Sequence, residues 1–103
     1  MVHVLVLYNQ PEDPAAFDRY YFETHVPIAK RLPGLRGYTV SATPVTELGG
    51  APAPHYLIAD LTFDSSADVQ RALASPEGAR TAADVAKFAT GGASMYLFES
   101  KEA

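Results

Sequence analysis

Residues 2–8, VHVLVLY, and 55–63, HYLIADLTF, offer no polar face: Val2, Val4 and Val6 alternate with His3, Leu5 and Leu7, and Tyr56 and Ile58 with Leu57, Ala59 and Leu61. A strand with one side in water is apolar only at every second residue, so strands of this kind must be covered on both sides. A layer of helices can cover one side. The other needs a partner, because a soluble monomer rarely leaves so extensive an apolar face open. The simplest partner is a second copy of the chain, packed sheet to sheet about a two-fold axis.

The intervening segments supply the helices and the other strands. After the break NQPEDP, Asp13-Pro14 offers an N-cap followed by proline at the first helical position, where its missing N–H costs nothing. Phe17, Tyr21, Thr24/His25, Ile28 and Leu32 then recur at three- and four-residue steps as one apolar stripe, and Leu32-Pro33-Gly34 stops the helix. Residues 35–45 read as a second strand, 46–54 (TELGGAPAP) as a loop able to carry a hairpin, and 55–63 as a third strand. A helix in two pieces follows, interrupted at Ser75-Pro76, with Val69, Leu73, Ala79, Val85 and Phe88 at helical steps; TGG ends it and 93–100 forms a fourth strand. The order β-α-β-β-α-β is that of a ferredoxin-like α+β fold, a four-stranded antiparallel sheet with two helices on one face. A length of 103 residues with 48% apolar and 19% charged residues suits a single domain over 1–103.

Several classes of function drop out. Eight Lys and Arg against twelve Asp and Glu give a net charge of −4, and no basic stripe is present to neutralise phosphates, so nucleic acid and anionic membranes are poor partners. The absence of cysteine excludes disulfides, thiolate catalysis and Cys-ligated metals, and points to a reducing compartment. No stretch approaches the ~20 apolar residues of a membrane span. The start lacks the positive flank of a signal peptide, so the expected location is the cytoplasm. Walker loops, GxGxxG and nucleophile elbows are missing, and three scattered histidines have no metal-ligand spacing; the expectation is no cofactor and no metal.

One oddity remains inside the first helix. Pro27 cannot donate to the carbonyl of Glu23, so the helix is expected to kink or restart near His25, leaving a free acceptor beside an imidazole. At 100° per residue from Phe17, His25 falls at about 80°, toward the edge of the inward stripe. An imidazole there can move a proton near neutral pH, and Tyr21, one turn earlier, can hydrogen-bond a substrate oxygen. The alternative is that His25 only caps the broken helix while Tyr21 packs in the core. Asp60, an acid within a strand, would either orient His25 or act as a base, or else pair with an arginine such as Arg36. His3 and His55 sit at strand starts and are expected at exposed or interfacial positions.

The stretch FDRYYFETHVPIAKRLPGLRGY resembles the EthD family of dimeric α+β barrel proteins, with an aromatic pair at Tyr20-Tyr21, His-x-Pro at His25-Val26-Pro27 and Leu-Pro-Gly at 32–34 leading into a strand. The second half is similar in architecture, including LTFDSSADVQRALASPEG. The resemblance implies a ferredoxin-like fold and a homodimer with a barrel between the sheets, and says little about chemistry. A helix kinked at its centre packs imperfectly on a sheet, and the resulting aromatic-walled gap suits a small, largely apolar ligand such as a phenol, quinone or ketone. His25 would then shuttle a proton in an isomerisation, cyclisation, dehydration or cofactor-free oxygenation. The other readings are a non-catalytic binding or accessory protein of a degradation pathway, and a structural dimer without ligand.

Overall fold

The computed structural model describes residues 1–103. Its elements are β1 (Val2–Asn9), α1 (Pro14–Tyr20), a π-helical turn (Tyr21–His25), α2 (Val26–Ala29), β2 (Gly37–Val40), β3 (His55–Phe63), α3 (Ser66–Ala74), α4 (Pro76–Val85) and β4 (Ala93–Glu99). The sheet runs β2-β3-β1-β4 with every neighbouring pair antiparallel, which is the ferredoxin-like arrangement. No helix is long and apolar enough to cross a membrane.

Local chemistry sets the helix ends. Asp13 caps α1 by accepting from the Ala16 amide at 3.2 Å, with Pro14 following. Ser75 serves two helices: its hydroxyl donates to the Ala72 carbonyl at the end of α3 and accepts from the Gly78 amide at the start of α4. The corner is tight. A Cβ on Gly78 would stand 2.1 Å from the Ala72 carbonyl oxygen.

The register sorts the strands into two faces. Val6 lies opposite Ala59 and Val4 opposite Leu61, and these point toward the helices; Leu7 opposite Ile58, and Leu5 opposite both Asp60 and Tyr96, point away. The core between sheet and helices holds Val2, Tyr8, Leu57 and Phe63 from the sheet and Phe17, Tyr21, Val69, Ala72 and Phe88 from the helical layer. On the opposite face no helix packs, and Tyr96 and Phe98 of β4 remain 58% and 44% exposed.

Three details depart from the sequence reading. The second strand is confined to Gly37–Val40 instead of reaching residue 45, although the Ser41 amide still bonds the Ile58 carbonyl. The chain leaves the sheet before Pro44, which has no N–H to offer a ladder. α4 ends at Val85, and Phe88 is buried from the turn that follows it. The first helix answers Pro27 with a π-helical turn just upstream, in which the Val26 amide bonds the Tyr21 carbonyl five residues back.

Candidate active site

The π-helical turn decides where His25 points. Four-residue steps drift around a regular α-helix, so Phe17, Tyr21, His25 and Ala29 would spiral off one face; a turn holding one extra residue takes up that drift. All four are buried, His25 to 3% exposure, deeper than the stripe edge where a regular helix would put it. The imidazole packs against Phe88 with ring centroids 4.6 Å apart and against Tyr21 at 5.4 Å.

His25 does not cap a backbone carbonyl. Its Nδ1 lies 2.9 Å from Oδ2 of Asp84, while the other carboxylate oxygen, Oδ1, accepts from the Tyr20 hydroxyl at 2.6 Å. Asp84 is itself 3% exposed, with its charge held by these two donors. Burial alone would raise the Asp84 carboxyl, but the hydrogen bonds from Tyr20 and His25 outweigh it and hold the group below the usual carboxylate range. Burial lowers the His25 imidazole, against the pull of Asp84, so the ring is neutral near pH 7. With Nδ1–H donating to an ionised carboxylate, the lone pair of that neutral ring is at Nε2. No protein group bonds Nε2.

His25 lines a cavity of about 100 Å³ between the helices and the sheet. Its walls are almost wholly apolar, with Val6, Leu61, Phe63 and Val69 among them, and no charged side chain reaches it. The polar exceptions beside His25 are Tyr8, Tyr38 and Thr81. Tyr38 is tied to Tyr21 by a 2.6 Å bond between hydroxyls. Burial, then mutual repulsion of the neighbouring hydroxyls on ionisation, raises Tyr21 and Tyr8, and burial raises Tyr38, so all three stay protonated donors.

The sequence-derived candidates thus separate. His25 and Tyr21 share one wall of the core, but Tyr21 does not itself line the cavity; its hydroxyl is bonded to Tyr38, which does. Asp60 neither orients His25 nor pairs with Arg36. It lies on the opposite sheet face with its Oδ1 2.9 Å from Nδ1 of His3, because a carboxylate pointing from β3 away from the helices has His3 of β1 as its diagonal neighbour. Arg36 pairs instead with Asp64 at 2.8 Å. His3 is stacked on Phe98, and His55 lies 3.2 Å from the Asn9 side-chain oxygen; both are half-buried and outside the cavity.

Asp84 is the residue of this site that the sequence reading does not single out. Its signal was present: Thr81, Asp84 and Phe88 fall at helical steps, which places an acid on a buried stripe. No group of three or more His, Cys, Asp or Glu is arranged to hold a metal ion.

The family pattern described as the EthD domain matches residues 9–92. An uncharacterised 11.0 kDa protein of the thcB-thcC intergenic region of Rhodococcus erythropolis is 44% identical over 102 residues, covering 99% of this chain and 96% of its own. Among solved structures, an ethyl tert-butyl ether d (EthD) family protein from Bacillus halodurans superposes with a TM-score of 0.89 at 33% identity, covering 98% of this chain and 99% of the other. A dimeric ferredoxin-like protein of unknown function from Jannaschia sp. shares the fold at TM-score 0.70 and 20% identity, over 96% and 98% of the two chains. SnoaB, a cofactor-independent oxygenase from Streptomyces nogalater, shares it at 0.68 and 19%, over 99% and 94%. The last two likenesses are of fold alone.

Proposed function

The chain belongs to the EthD family, and from that premise we propose that it is a cytoplasmic homodimer that binds a small, largely apolar molecule and moves a proton on it with His25. The observation that carries this reading is the pairing of Nδ1 of His25 with a buried Asp84 while the ring lines an uncharged cavity. Asp84 fixes the tautomer and steadies the imidazolium that forms when Nε2 takes a proton. Tyr20 keeps the carboxylate aimed. The dyad supplies a base and, once protonated, an acid, which suffices for isomerisation, cyclisation, dehydration or the deprotonation that opens a cofactor-free oxygenation. That the fold hosts a cofactor-independent oxygenase in SnoaB supports a chemistry of this kind.

A second reading, binding without turnover, draws on the depth of the site, since His25 is only 3% exposed and the walls are apolar. One measurement separates the two. Wild type and His25→Asn are incubated with cyclohexanone in D2O and deuterium entry beside the carbonyl is followed by NMR. Proton transfer predicts exchange that falls about a hundredfold in the variant, the usual loss on removing a general base. Ligand binding with equal, background exchange in both proteins ends the catalytic reading.

A further inference from the structure

Tyr8, Tyr21 and Tyr38 lie together in the core: the Tyr21 and Tyr38 hydroxyls are bonded at 2.6 Å, and the Tyr8 ring packs edge-on to that of Tyr21 with centroids 5.5 Å apart. The three hydroxyls hold three protons and make one hydrogen bond among themselves, so at least one proton is left without an acceptor. Tyr21 does not line the cavity, whereas Tyr8 and Tyr38 do. No carboxylate or carbonyl oxygen of the protein accepts from any of the three. The other polar groups on the wall are Thr81, whose hydroxyl donates to the Glu77 carbonyl, and His25, whose ring is committed at Nδ1. An otherwise apolar chamber therefore contains one spare donor and, at Nε2 of His25, one spare acceptor. A donor that faces an apolar chamber with no acceptor in reach gains a hydrogen bond from a ligand that supplies an oxygen.

Building on the proton-transfer reading of His25, we infer that the Tyr8–Tyr21–Tyr38 cluster is the oxygen-binding end of the cavity and that its ligand is a small neutral carbonyl compound bearing a hydrogen on the adjacent carbon. Neutrality follows from the walls, which offer no Lys or Arg to receive a carboxylate or phosphate. When Nε2 of His25 takes the α-proton, the C–H electron pair moves into the carbon framework and the carbonyl π pair moves onto oxygen, giving an enolate whose negative charge the spare hydroxyl proton meets. Return of the proton to the same or a different carbon closes the cycle, and no oxidant or reductant is required. Hydroxyls that remain protonated at every working pH are suited to hold such an oxyanion, and donors fixed in place before the charge develops stabilise it most. Tyr8 and Tyr38 would touch the oxygen. Tyr21 is a positioning residue that holds the Tyr38 hydroxyl.

The test compares cyclohexanone with methylenecyclohexane, which has the same shape and no oxygen. Binding of both is measured by NMR titration to wild type, Tyr8→Phe, Tyr38→Phe, the double variant and Tyr21→Phe. The expected result is that the double variant loses tenfold or more of its ketone affinity while methylenecyclohexane affinity stays within twofold. Tyr21→Phe should lower the ketone-to-alkene ratio by a smaller factor, a change that mere loosening of the core would not produce. A wild type that binds neither probe, or binds both alike, overturns the inference, as does a double variant with unchanged selectivity. Selective ketone binding by wild type without deuterium exchange would leave the oxygen site standing and remove only the role of His25 as base.

Discussion

Nδ1 of His25 and Oδ2 of Asp84 stand 2.9 Å apart across 59 residues of sequence, joining the first helical segment to α4 at a point both side chains share with almost no water. Because the carboxylate has only Tyr20 as a further partner, its charge is directed at the imidazole. Asp84→Asn keeps the shape and removes that charge. Deuterium exchange into a ketone should fall about a hundredfold with the dimer and ligand binding retained, whereas Tyr20→Phe should cost less than tenfold. Equal loss in both variants would show that the carboxylate acts through packing alone.

The two pKa shifts set the acid limit of stability. His25 is lowered by burial, so below an ordinary histidine value of about 6.5 the unfolded chain takes up a proton that the folded one resists, and stability falls as pH drops through that region. Asp84 is lowered by its hydrogen bonds, so its contribution is present above an ordinary carboxylate value and is lost as pH falls through the folded one. Thermal unfolding from pH 7 to pH 5 should show a declining midpoint that flattens in His25→Asn, where the amide still donates to Asp84 and does not titrate. The same shift lets the base work below pH 6.5. An acid limb of exchange centred above that value would contradict the buried neutral ring.

Much of this was legible in the chain. Strands apolar on both faces, the cap at Asp13, and the break at Ser75-Pro76 each have local causes, and each lies where those causes place it. Counting at 100° per residue assumes a regular helix and puts His25 at the stripe edge; Pro27 announces a break there but not its form, a π-helical turn that takes in one extra residue. Asp60 is conspicuous among the aliphatic residues of β3, whereas Asp84 stands among alanines that carry little hydrophobic pattern to mark which side of the helix is buried. Which acid meets which histidine is a property of the sheet face, and His3 claims Asp60 from the opposite side.

The uncovered sheet face predicts the assembly. Tyr96 is 58% exposed, so in an isolated chain Tyr96→Asp should change stability by no more than about 0.5 kcal/mol. In a dimer packed on that face it buries an unpaired charge. Sedimentation velocity at micromolar concentration should show wild type as a dimer and the variant as a folded monomer. A monomeric wild type would exclude sheet-to-sheet pairing at that concentration.

Gly78 supplies a purely steric prediction. A methyl group there would meet the Ala72 and Leu73 carbonyl oxygens at 2.1 and 2.8 Å, both backbone atoms that yield only if the α3–α4 corner opens. Gly78→Ala should therefore destabilise the protein by about 1–3 kcal/mol, despite alanine being the better helix former, and urea unfolding measures it directly. A stabilised variant would mean that the corner is looser than its geometry implies.

The strand order carries a consequence for how the molecule comes into being. β1 precedes the other strands in sequence and occupies an interior position, yet its partners are β3 and β4, the latter with Glu99 opposite Val2. Both contacts span long stretches of sequence, which slows folding and leaves an aliphatic strand waiting with neither edge satisfied. β1 therefore stays open to intermolecular pairing until both β3 and β4 have been made. The His25–Asp84 pair inherits the same delay, since its acid arrives 59 residues after its histidine.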